Sequence, residues 1–519
     1  MKLLKSTATV GGATIASRIL GFVRDVVLAR MFGASAQTDA FFLAFKIPNF
    51  MRRLFAEGSF SLAFVPVLSE VRATGDRAAL RDLIDHVAGT LAALLLVLTA
   101  IGVLAAPVVL AIFAPGWFAE GRPEFALSAS MLRITFPYIL FISLTAMAAG
   151  VLNTFDRFLV PALTPILLNV SLIAAALLLA GRMDVPVRAL AWGVLVAGVA
   201  QLAVQAAALA RLGLLPRPRW GWRHPGVRKV VKLMIPTLIG SSVAQVNLLV
   251  DSVIATFLAA GSVSWLYYSD RLLEFPLGVF GIALATVILP NLSRKHANAD
   301  GARFSDTLDW ALRLAALITL PAACGLIALA GPILVTLFGY RAFTLEDVSM
   351  ASLSLVAYAA GLPAFIAVKV LAPGYYARQD TKTPVKIAVA AMVTNMVLNL
   401  AFVGLLVHLA FVGPHAGLAA ASSVAAYLNA FLLYRGLRRA GVYEPVPGWG
   451  RLWLGVGLAC AAMVAGLVAL TPAIDAWAAH RALQRAGWLV LAIGGGALAF
   501  TAAAVIAGVR PRQFTRGAH

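Results

Sequence analysis

Apolar stretches of transmembrane length recur along this 519-residue chain, broken by short polar turns. A bilayer core of about 30 Å takes roughly 20 apolar residues per helical pass. The pattern therefore predicts fourteen transmembrane helices, near 8–30, 38–68, 83–114, 126–152, 159–181, 189–211, 228–258, 263–292, 307–338, 349–376, 384–408, 415–435, 450–471 and 486–509. Segment 212–227, "LGLLPRPRWGWRHPGV", is rich in Pro, Trp and Arg without one acid and divides the chain after six passes.

The two sides of that divider share a pattern. The second pass ends "FVPVLSE" (64–70) and the eighth "ILPNLSR" (288–294); the fourth runs into "GVLNTFDRFLVP" (150–161) and the tenth into "APGYYARQDTKTP" (372–384). Each is a Pro-containing helix, a polar turn, then a Pro that opens the next helix. The expected architecture is an all-α polytopic membrane protein with two six-helix lobes around a central cavity and two further C-terminal helices. An N-terminal lobe spans 1–211, a basic linker 212–227, a C-terminal lobe 228–440, and helices thirteen and fourteen with the tail 441–519. Two repeats of six passes share one orientation, the arrangement of transporters that rock around a central site.

Composition agrees: 61% hydrophobic residues, 12% charged and a mean hydropathy of +0.90 exclude an ordinary soluble domain. A net charge of +20 raises nucleic acid as a partner, but the basic residues fall mainly in short loops between apolar segments. Most of the 42 Lys and Arg lie in loops on one side if the N-terminus is cytoplasmic, among them Arg72, Arg77, Arg81, Arg217, Arg219 and Arg223. This bias predicts both termini inside. Arg18 interrupts the first apolar stretch, which is therefore read as a retained helix and not a signal peptide. Cys324 and Cys460 sit in apolar runs, and no His pair has metal-ligand spacing on one helix, so neither disulfides nor metal are expected.

Charges inside the apolar segments are the informative departure. The bases are Arg18, Arg24, Lys46, Arg52, Arg53, Arg133, Arg271, Arg313 and Lys369; the acids are Asp25, Asp39, Glu57, Asp251, Asp270 and Glu274. At about 3 kcal/mol each on the insertion scale, the eight between Arg18 and Glu57 would cost roughly 24 kcal/mol facing lipid. Whole folds are stable by only about 5–15 kcal/mol. These groups must face water or one another. Thr14, Arg18, Gly21 and Asp25 share a face of the first helix at i, i+4, i+7 and i+11, predicted to look into a wet cavity. Pro48 and Gly58 permit bending in the second, and "SDRLLEFP" places Asp270, Arg271 and Glu274 before Pro276 in the eighth. Arginine dominates, and its planar fork holds phosphate bidentately, so the expected cargo is a phosphate or pyrophosphate anion.

Asp251 with Asn395 and Asn399 offers oxygen ligands for a sodium or proton coupling site, or else a buried hydrogen-bond network. No Gly-Lys pair occurs, so a nucleotide-binding P-loop is absent and no cofactor is expected. Energy would come from a coupling ion or the membrane potential. "DLIDH" (82–86) gathers two acids and a His, read as a helix N-cap and not a catalytic site.

Three stretches carry a resemblance: "SRILGFVRDVVLARMFGASAQTDAFFLAFKIPNFMRRLFAEGSFSLAFVPVLSE" (17–70), "GSVSWLYYSDRLLEFPLGVFGIALATVILPNLS" (261–293) and "KVLAPGYYARQDTKTPVKIA" (369–388). The chain resembles the MurJ/MviN family of bacterial lipid II flippases, within the multidrug/oligosaccharidyl-lipid/polysaccharide exporter superfamily. The resemblance implies fourteen helices around a solvated cavity and a lipid-tail groove at helices thirteen and fourteen. The implied cargo is undecaprenyl-pyrophosphate bearing the peptidoglycan disaccharide-pentapeptide, moved across the inner membrane from the cytoplasmic to the periplasmic leaflet. It also implies cavity arginines at Arg18, Arg24, Arg52 and Arg271 and cavity acids at Asp39, Asp25 and Glu274. Membrane lipids and cell-wall synthesis or division proteins are the further candidate partners; nucleic acid is not. A cation-coupled drug exporter of the same superfamily would favour acids and aromatics over arginines. A polyprenyl-phosphate transferase would need a metal-binding carboxylate or His cluster at a membrane face.

Overall fold

The computed structural model describes residues 2–53, 60–297 and 301–509, with the backbone alone for 2–10, 236–248, 282–283, 285–287 and 297. Glu57 and Gly58 lie outside the described residues. Every long element among the described residues is helical: α1 (Lys2–Phe32), α2 (Ala36–Met51), α3 (Ser61–Ala73), α4 (Arg77–Leu104), α5 (Ala106–Phe113), α6 (Pro115–Ala119), α7 (Pro123–Thr135), α8 (Tyr138–Thr154), α9 (Leu159–Ala174), α10 (Arg188–Arg211) and α11 (Pro225–Ala255). They continue with α12 (Ser262–Pro276), α13 (Ile282–Ala297), α14 (Gly301–Ala328), α15 (Ala330–Leu337), α16 (Leu345–Tyr376), α17 (Lys382–His408), α18 (Ala416–Arg439), α19 (Trp449–Leu470), α20 (Ile474–Ala479) and α21 (Ala482–Ile506). The chain divides into two compact units, residues 1–264 and 265–519.

Ten of the described helices are long and apolar enough to cross a membrane. The other predicted segments, 8–30, 38–68, 228–258 and 263–292, fall on α1, α2 with α3, α11, and α12 with α13. The reading of 38–68 as one segment passes through residues outside those described, and 263–292 is helical throughout but not regular α-helix. In the eighth segment the missing N–H and ring clash of Pro276 end regular α-helix, and a π-turn at Leu277–Gly281 carries the chain into α13. The second holds Pro48, and its α3 runs on to Ala73, past the predicted end.

In the first unit α3, α4 and α8 enclose Phe64, Leu68, Leu83, Ile84, Val151 and Leu152, all at most 2% exposed. The opposite face of α4 leaves Leu96, Val97, Ile101 and Leu104 open, as a lipid-facing surface must. Small residues let helices close in without hydrophobic drive: a Cβ on Gly193 of α10 would sit 2.8 Å from the Ala175 methyl. In the second unit α16 packs against α13, α14, α15 and α18. The repeated motifs meet in the same way in each unit, α3 on α8 in the first and α13 on α16 in the second.

Connections are pinned by polar side chains. Asp309 of α14 pairs with Arg313 at 2.6 Å and accepts from Tyr443 Oη (2.8 Å) and Trp449 Nε1 (2.7 Å), so the segment leading into α19 is clamped. In the turn after α16, Asp380 accepts from the Thr383 N–H at 3.0 Å, which holds its carboxyl below the usual carboxylate range.

Candidate transport site

The face predicted on α1 is split. Thr14 and Arg18 are exposed, whereas Gly21 lies 3.5 Å, measured from an ideal Cβ, from the Asn169 amide of α9 and Asp25 is buried. Arg24 is buried beside it, 5% exposed. Its Nε and Nη2 donate to Asp25 Oδ1 at 2.9 and 2.6 Å, and its Nη1 donates to Asn169 Oδ1 at 3.0 Å. Asn169 Nδ2 in turn donates to the Ser17 carbonyl. The expectation that the whole stripe faces water is thus corrected. The adjacent pair neutralises itself, and α9 supplies the amide that lets it be buried.

Asp39 is 2% exposed and both of its oxygens are used. Oδ2 accepts from the Gly261 N–H at 2.7 Å, and Oδ1 from the Ser264 N–H and hydroxyl at 2.8 and 2.5 Å. A carboxylate on the first N–H groups of α12 satisfies donors that the helix cannot satisfy itself. Asp39 therefore ties α2 to the entry of the charged helix. Arg52 is half-buried and forks onto Asn49 Oδ1 at 3.0 and 2.8 Å. Lys46 bonds Ser252, so α2 also grips α11 beside the half-buried Asp251.

In the second unit Arg271 and Glu274 form an i, i+3 ion pair at 2.6 Å, with side chains 33% and 44% exposed. The Arg271 guanidinium lies 5.5 Å from the Tyr267 ring centroid. Asn395 and Asn399 are at most 1% exposed, one turn apart on α17. The structure therefore sorts the predicted residues by exposure: Arg18 and Arg271 are accessible to a polar ligand, Arg24 and Asp25 are locked together, and Asp39 is a cap.

One cluster was missed in the sequence. "DLIDH" is not the N-cap of α4: Asp76 is, accepting from the Ala78 and Ala79 N–H groups, because the helix already begins at Arg77, five residues before Asp82. Asp82, Asp85 and His86 instead hold the linker. Asp85 accepts from the Arg217 N–H at 2.8 Å, and Asp82 lies 3.1 Å from His224 Nε2 and 3.2 Å from His86 Nδ1. Among the described residues Asp82, His86 and His224 are close enough to chelate an ion. The rings argue otherwise: they stack at 4.7 Å with planes 12° apart, and one ion cannot lie in two separated parallel ring planes where the nitrogen lone pairs point. His224 Nδ1 also accepts from the Gly226 N–H at the start of α11. The cluster is a hydrogen-bonded clasp, and a His one residue before a helix-opening Pro was the signal for it.

Buried and half-exposed charges set among ten helices long and apolar enough to cross a membrane define a multi-pass membrane protein with a charged interior. The same fold occurs in an inward-facing multidrug transporter of the MATE family of the MOP superfamily (TM-score 0.63, 14% identity, covering 82% of this chain and 95% of that one). The chain belongs to the lipid II flippase MurJ family, whose sequence profile matches residues 28–486. It is 48% identical over 515 residues to a probable lipid II flippase MurJ of Vibrio cholerae, covering 98% of this chain and 97% of that protein. It is 44% identical over 472 residues to the lipid II flippase MurJ of Burkholderia cenocepacia, covering 90% of each. A solved lipid II flippase MurJ in an inward closed conformation superposes with a TM-score of 0.79 at 27% identity, covering 96% of this chain and 98% of that one.

Proposed function

We propose that this chain is a lipid II flippase of the bacterial inner membrane, carrying undecaprenyl-pyrophosphate-linked disaccharide-pentapeptide to the periplasmic leaflet for peptidoglycan synthesis. The observation that carries the reading is near-complete coverage at 48% identity by the probable lipid II flippase of Vibrio cholerae, within a family matched over residues 28–486. Four charged segments, 8–30, 38–68, 228–258 and 263–292, would complete fourteen passes with the ten apolar ones, with both termini cytoplasmic. Expression of the chain in cells depleted of their own flippase should restore lipid II translocation; a membrane-inserted chain that fails to do so would sink the reading.

In the mechanism we propose, the pyrophosphate meets arginine, not metal. Glu274 occupies the Arg271 fork as a placeholder: an exposed ion pair is worth only about 0–1 kcal/mol, so an incoming phosphate displaces it at little cost. Arg18 and Arg52 are the proposed partners in the first unit, with Arg24 and Asp25 holding the helix that carries Arg18. Asp39 would bind no cargo directly but secure the start of α12 as the protein alternates access. The lipid tail would stay in the membrane along helices thirteen and fourteen, here α19 and α21.

Electrical driving supplies about 2.3 kcal/mol per charge per 100 mV, which favours outward movement of an anion. Asp251, Asn395 and Asn399 are the proposed oxygen ligands of a coupling cation. Replacing sodium by potassium at constant membrane potential is expected to slow translocation in reconstituted vesicles. An unchanged rate would remove sodium from the mechanism.

A further inference from the structure

At the end of the first unit that holds the α3–α4 turn, two cavities of 580 and 340 Å³ adjoin, and Arg72 lines both. The larger is walled by Val65, Ser69, Asn153 and Phe158, and the smaller by Arg77, Leu80, Phe155 and Leu214. Arg72 bonds the Thr154 carbonyl, and its guanidinium lies 4.5 Å from the Phe155 ring centroid. Arg77 donates to the Leu212 carbonyl at 3.3 Å and Arg81 to the Gly213 carbonyl at 3.2 Å. The Nη2 atoms of Arg77 and Arg81 both come within 4.0 Å of the point a Cβ on Gly213 would occupy.

Carbonyls orient these guanidinium groups without neutralising them. None of the three forms an ion pair with a carboxylate among the described residues. Asp76 is the one acid on the wall, and its Oδ1 is taken by the Ala78 and Ala79 N–H groups. Each guanidinium has five N–H donors, so several remain for an anion. The helices that wall or adjoin the larger cavity also carry exposed leucines, Leu62 on α3 with Leu159 and Leu163 on α9, at 66%, 50% and 40% exposure. A ligand that satisfies both parts carries a phosphate and an acyl chain.

We propose that these cavities bind an anionic glycerophospholipid of the surrounding leaflet, its phosphate held by Arg72, Arg77 and Arg81 and its chain lying against Val65, Phe158 and Leu62. None of the residues proposed above to meet the cargo lines these cavities, so the inference does not depend on the flippase reading. A zwitterionic headgroup brings an ammonium toward the cationic wall, so phosphatidylglycerol should bind in preference to phosphatidylcholine.

The test is native mass spectrometry of the delipidated full chain titrated with phosphatidylglycerol, phosphatidylcholine or inorganic phosphate. Wild type should retain phosphatidylglycerol selectively. Arg72→Gln/Arg77→Gln should bind it about thirtyfold more weakly, with phosphatidylcholine unchanged. Because Arg72 also joins α3 to α8, Arg77→Gln/Arg81→Gln serves as a second variant that leaves that tie intact. Equal phosphatidylglycerol binding by wild type and this second variant would overturn the proposal. Inorganic phosphate binding that is lost in the variants, without any preference among lipids, would overturn the lipid assignment and identify a soluble phosphate group as the ligand.

Discussion

Arg271→Ala is expected to abolish lipid II translocation while leaving the protein folded and in the membrane. The Arg271–Glu274 pair is half-exposed and lies within one helix, so its loss should change stability by no more than about 1 kcal/mol. The same guanidinium in contact with a desolvated pyrophosphate would supply charged hydrogen bonds of about 1.5–3 kcal/mol each. Removing two such bonds slows transport at least about a hundredfold if they tighten as the cavity closes. Arg271→Lys keeps the charge and loses the fork, so an intermediate rate is expected. The measurement is translocation in depleted cells at matched membrane levels. A wild-type rate for the alanine variant would show that Arg271 does not hold the cargo.

Arg24→Ala should fail for a different reason. Arg24 and Asp25 are both buried, and the pair is completed by Asn169. Removing the arginine leaves a carboxylate uncompensated in the interior, a loss of about 3–5 kcal/mol. The expected result is a lower unfolding temperature in detergent and a reduced amount of protein in the membrane. Arg24→Ala/Asp25→Asn should recover much of that loss because the orphaned charge goes with its partner. If the single variant is as stable as wild type yet inactive, Arg24 belongs with the cargo-binding arginines and the pair opens during transport. The two arginines, alike in the sequence, are separated by this comparison.

The apolar periodicity was enough to establish an all-helical membrane protein. A bilayer leaves the backbone no other way to satisfy its polar groups within an open chain segment, so length and hydropathy translate directly into helices. Internal repetition was legible too, because the Pro-bearing motifs at 64–70 and 150–161 have counterparts at 288–294 and 372–384. The cost of burying charge likewise marked α1, α2 and α12 as helices whose charged groups must meet water or one another. Helix irregularities were less legible: Pro276 was visible, but the π-turn after it at Leu277–Gly281 has no residue signature of its own.

The role of each charge was decided only by tertiary structure. Asp25 and Arg18 share a helical face in sequence, yet α9 covers one and not the other. Asp39 looks like a cavity acid until the Gly261 and Ser264 N–H groups arrive from a segment more than 200 residues away. His224 joins Asp82 and His86 only because the acid-free linker folds back onto α4. Hydrophobic length acts locally along one helix and can be read from a window of residues. Charge compensation acts through space, over a few ångströms, between groups that the chain order keeps far apart.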